Sequence, residues 1–60
     1  MKLKVKSKRY GNEIPIEAEK MEFVTQEGVK YIVFRDSLGQ VIYRFVESDS
    51  ELLSMDNVKL

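Results

Sequence analysis

The chain contains no cysteine, no histidine and no tryptophan. Without cysteine there is neither a disulfide nor a thiolate metal site. Without histidine the commonest zinc and copper ligand is missing as well. No metal and no cofactor is expected. Proline occurs once, at Pro15, and glycine three times, at Gly11, Gly28 and Gly39. Glycines so far apart are turn residues, which excludes a glycine-rich phosphate loop. No apolar run reaches the ~20 residues of a membrane-spanning helix, so no membrane association is expected. The N-terminal lysines have no apolar run behind them, so a secretory signal is not expected either, and the default setting is the cytoplasm. Net charge is lacking too, since ten basic and ten acidic residues cancel.

What is there is a globular composition: 60 residues, of which 43% are hydrophobic and 33% charged. That is one small domain spanning 1–60, with little core to offset the entropy of ordering the chain. Chains of this size rely on a well-made core or on self-association when disulfides and metals are absent. The charge is unevenly spread. Lys2, Lys4, Lys6, Lys8 and Arg9 crowd the first ten residues, whereas Glu47, Asp49, Glu51 and Asp56 crowd positions 47–56.

Period-two alternation dominates the pattern. Leu3, Val5 and Ser7 alternate with the lysines, and Ile14, Ile16 and Ala18 alternate on the return after Gly11-Asn12. Pairing Tyr10 with Glu13 sets Lys6 opposite Glu17 and Lys4 opposite Glu19, with Leu3, Val5, Ile16 and Ala18 on the other face. Pro15 places the second strand at an edge. Two three-residue loops ending in glycine follow, Gln26-Glu27-Gly28 and Ser37-Leu38-Gly39, which suits hairpins with glycine in the left-handed position. Thr25 then pairs with Val29, and Asp36 with Gln40. This register gathers Met21, Phe23, Val29, Tyr31, Val33, Val41, Tyr43 and Phe45 on a buried face. Lys20, Glu22, Val24, Lys30, Ile32, Phe34, Ile42, Arg44 and Val46 fall on a mixed face. Beyond them, Ser48 and Glu51 have capping-box spacing, which predicts a short helix over 49–55. Val58–Leu60 suits a last short strand.

The expected fold is therefore mainly β: a small SH3-like barrel, or a twisted five-stranded antiparallel sheet made of the N-terminal hairpin and the three-stranded meander. One short C-terminal helical turn completes it. In element order and strand alternation the layout resembles the seven-kilodalton archaeal chromatin proteins. That resemblance implies DNA binding by the three-stranded sheet. Those proteins are lysine-rich and carry a tryptophan on that sheet; this chain is neutral and has none.

Catalysis is poorly supplied, so no enzyme is expected. The carboxylate pairs Glu17 and Glu19, and Asp49 and Glu51, suit a solvated surface, and carboxylates need burial or a partner to be tuned for acid–base work. Asp49, Glu51 and Asp56 lack the spacing and the glycine of a calcium loop. The sharper hint is the mixed face of the meander. A clustered apolar patch calls for a cover, and Val24, Lys30, Ile32, Phe34, Ile42, Arg44 and Val46 are the candidate protein-binding residues. The cover is the C-terminal segment, another protein, or a second copy in a homodimer. The alternative function is weak, sequence-tolerant nucleic-acid binding by Lys2, Lys8, Arg9, Lys30 and Arg44.

Overall fold

A computed structural model of the chain describes residues 1–54. It contains six strands: β1 (Lys2–Ser7), β2 (Glu13–Glu17), β3 (Lys20–Gln26), β4 (Val29–Arg35), β5 (Val41–Val46) and β6 (Ser50–Ser54). One 3-10 turn, Glu47–Asp49, joins β5 to β6. The strands form two antiparallel three-stranded sheets, ordered β2-β1-β6 and β3-β4-β5. Among the described residues there are thus six strands in two sheets and no closed barrel. Between the sheets the chain turns a hydrogen-bonded corner. Ala18 exchanges backbone hydrogen bonds with Met1, and the Glu19 N–H donates to the Arg35 carbonyl at 2.9 Å.

The N-terminal hairpin keeps its expected faces but not its register. Lys6 stands opposite Glu13, Val5 opposite Ile14, Leu3 opposite Ile16 and Lys2 opposite Glu17. The loop is longer than a two-residue turn: the Ser7 N–H donates to the Asn12 carbonyl at 3.0 Å and the Gly11 N–H to the Ser7 carbonyl at 2.8 Å. Relative to the expected pairing the register moves by four residues, an even number, so no side chain changes face. Val5, Ile16 and Ala18 are buried, with Leu3 and Ile14 packed against them. Pro15 lies on the edge strand β2, where its missing N–H costs no ladder bond.

The meander corrects the expectation for its middle strand. Glu27 and Gly28 both have positive φ, 51° and 80°, which makes a two-residue type I′ turn and pairs Gln26 with Val29. At the second hairpin Asp36 does meet Gln40, through a 3.0 Å backbone bond. The ladder then steps from Arg35–Val41 to Phe34–Tyr43, skipping Ile42 in a bulge. Each change is a single residue, so β4 turns over, β3 and the part of β5 beyond the bulge keep their faces, and Val41 before the bulge passes to the outer face. Met21, Phe23, Ile32, Phe34, Tyr43 and Phe45 now share the inner face, and Tyr31 and Val33 move to the outer one. Phe34 is 0% exposed and Ile32 1%. Phe34 meets Phe45 edge-on, with ring centroids 6.1 Å apart at 78°.

The C-terminal helix expected over 49–55 is not formed across the described residues. Ser50–Ser54 is a strand that pairs with β1, setting Leu52 opposite Val5 and Leu53 opposite Lys4. A helix of one or two turns gains little by itself, whereas β1 offers a whole ladder. The Asp49 carboxylate is committed elsewhere, accepting from the Ser7 hydroxyl at 3.0 Å and the Arg9 N–H at 2.9 Å. This ties the 3-10 turn to the first hairpin loop. Asp56 and the strand expected over 58–60 lie outside the described residues.

Candidate functional site

The turned-over middle strand decides what the meander shows to solvent. Its outer face carries Lys20, Glu22 and Val24 from β3, Tyr31, Val33 and Arg35 from β4, and Val41, Arg44 and Val46 from β5. These residues reach one surface because strand side chains alternate. Val24, Tyr31, Val33, Arg35, Val41 and Arg44 line a shallow groove of about 380 Å³. Its floor, Val33, is only 5% exposed. Arg44 stands directly across from Val33 and Glu22 on the other side, and long charged side chains shelter apolar neighbours with their stems.

Charge on this face is arranged unequally. Glu22 is partly buried between two cations, with Lys20 Nζ at 3.0 Å and Arg35 Nε at 3.3 Å. Hydrogen bonds from Lys20 first, then from Arg35, hold its carboxyl below the ordinary carboxylate range. The Arg35 guanidinium also donates to the Gly39 carbonyl at 2.8 Å, bracing the second hairpin loop. Arg44 has no such answer. Among the described residues it makes no ion pair, and its guanidinium lies 4.8 Å from the centroid of the Tyr31 ring. Cation–π contact holds it in place without neutralising it.

The expected protein-binding residues are redistributed by these findings. Val24, Arg44 and Val46 sit on the outer face, and Ile42 is exposed at the bulge. Ile32 and Phe34 are corrected: they are core residues, closed to any partner in the folded state. Lys30 is exposed at the start of β4, opposite Thr25 and on the inner-face side. In their place the groove gains Tyr31, Val33 and Val41, which the slipped register had assigned to the interior. The signal that finds them is Glu27-Gly28 read as a two-residue turn.

The expected nucleic-acid residues do not converge. Lys2 faces Glu17 across the hairpin, and Lys8 and Arg9 lie in the loop clipped by Asp49. Lys30 shares a hollow with Glu47. Only Arg44 lies on the meander's outer face. The lysine stripe of β1 is matched by Glu13, Glu17 and Glu51 on the two flanking strands, and Lys4 reaches Glu13 at 3.5 Å. The matching acids differ from those expected, because Glu19 lies beyond the ladder. Tyr10 is exposed at its turn, as expected.

Comparison with protein-family models, with curated proteins and with solved structures returns no match for this chain. Among the described residues no helix is long and apolar enough to cross a membrane.

Proposed function

We propose that this protein is a small non-enzymatic binding module that engages another polypeptide through the outer face of the meander, in a cytoplasmic setting. One observation supports the reading above all: an apolar groove with an unneutralised arginine at its side, which no other described element covers. Single exposed hydrophobes are ordinary, but a contiguous set around a fixed cation is the composition of a recognition surface. The order of hairpin, three-stranded meander, 3-10 turn and a last strand returning beside β1 suits an opened SH3-like small barrel, and we propose that class.

The test is retention of a polypeptide partner in equimolar amount on immobilised protein. Val24→Asp and Val46→Asp are expected to abolish retention and to leave the circular dichroism spectrum unchanged, while Lys8→Glu in the distant loop retains the partner. Retention indifferent to both outer-face variants removes the proposal. The alternative, nucleic-acid binding, has less support because its basic residues are scattered and accompanied by acids. It requires affinity for single- or double-stranded DNA that falls steeply with added salt.

A further inference from the structure

We propose that the free edge of β5 receives an extended strand from another protein, and that this strand carries a carboxylate opposite Arg44. The inference rests on the protein-binding reading above and specifies the partner's chemistry.

Two three-stranded sheets have four outer edges, and three of them are blunted. On β2, Pro15 lacks an N–H and is flanked by Glu13 and Glu17. On β6, five residues include Ser50, Glu51 and Ser54. On β3, Lys20 and Glu22 begin the strand. The edge of β5 reads Val41-Ile42-Tyr43-Arg44-Phe45-Val46, with no proline, no lysine and one charge. Val41 is 51% exposed, and among the described residues only β4 pairs with this strand. The bulge at Ile42 twists the beginning of the edge away and leaves Tyr43–Val46 as its regular stretch. At the end of that stretch the Val46 carbonyl accepts the Ser50 hydroxyl at 2.7 Å; the other backbone groups there that point away from β4 have no partner among the described residues, and an extended segment satisfies them by strand addition.

Charge selects the occupant. Glu22 is shared by Lys20 and Arg35, whereas Arg44 is held only against Tyr31. A second copy pairing through the same edge would bring another arginine and no acid, and like charges across a ladder are unfavourable. An Asp or Glu at the facing position supplies the missing charge. Side chains on either side of it in the added strand fall beside Tyr43 and Phe45, where apolar residues suit.

Selection of a phage-displayed random peptide library on the immobilised full chain tests this directly. Enriched peptides are expected to carry an Asp or Glu flanked by apolar residues. N-methylation of alternate peptide nitrogens should weaken binding about tenfold or more, while methylation of the intervening ones should not. Selection repeated on Arg44→Glu should turn to basic peptides, and Arg44→Gln should lose the acidic preference without gaining a basic one. Peptides with no acidic preference, affinity indifferent to N-methylation, or no enrichment would overturn the proposal. If peptides indifferent to N-methylation are still lost on Tyr31→Ser, the edge falls and the outer-face reading stands. If Tyr31→Ser has no effect either, both fall.

Discussion

Glu27 shows how much one residue decides. Its φ of 51° lies in the left-handed region, which a glutamate occupies at a cost and an asparagine accepts readily. The three-residue reading of Gln26-Glu27-Gly28 rests on its final glycine and asks for the left-handed conformation at Gly28 alone. The twist of the flanking strands favours the type I′ turn strongly enough to win. Glu27→Asn should therefore stabilise the fold by about 0.5–1 kcal/mol, seen as a higher urea midpoint at unchanged slope. An unchanged or lower midpoint would speak against this turn. Glu22 gives a second expectation at this scale. Its folded carboxyl is held below the ordinary range by Lys20 and Arg35, so the unfolded chain binds its proton more readily. The stabilisation is present above the ordinary carboxylate range and disappears as pH falls through the folded value. Acidification from pH 7 to pH 3 should lower the melting temperature less in Glu22→Gln than in the native chain; parallel curves would contradict the ion-pair assignment.

At the scale of elements, the alternation of β1, β2 and β3 was legible, and so were their inner faces; in β5 the same holds for Tyr43 and Phe45, but not for Val41, which the bulge at Ile42 separates from them. Strand β4 was not, because Val29-Lys30-Tyr31-Ile32-Val33-Phe34-Arg35 has apolar residues at both parities and so reports no preferred face. Its orientation is fixed by the turn before it and the bulge after it, and a one-residue change in either inverts it. The last strand was missed for a different reason. Ser48 and Glu51 carry a genuine capping spacing, but the pairing of Ser50–Ser54 with β1 is a long-range gain that local spacing does not register. Hydrogen exchange reads these elements directly. Amides of the central strands β1 and β4 should be the slowest, and in β5 slow and fast amides should alternate, the fast ones facing the open edge. Uniform protection along β5 would mean that its edge is already covered.

For the whole molecule, shape matters more than composition. The Cα atoms of the described residues span 42 × 31 × 13 Å with a radius of gyration of 12.0 Å, against about 10 Å for a compact domain of this length. A flat slab has more edge than a ball, and Phe23, on the inner face, is still 59% exposed. So small a core carries only about 3–5 kcal/mol of stability, and its side chains are not interchangeable with those outside. The decisive comparison is therefore between two aromatic residues of β4 three positions apart, which the register assigns to opposite faces. The measurement is urea unfolding of Phe34→Ala beside Tyr31→Ala. Removing the buried ring should cost about 3–5 kcal/mol, leaving no folded baseline in water. Removing the Tyr31 ring should cost about 1 kcal/mol or less and leave the transition cooperative. A folded Phe34→Ala with an unfolded Tyr31→Ala would mean that β4 faces the other way, and the groove around Arg44 would no longer be a surface a partner can use.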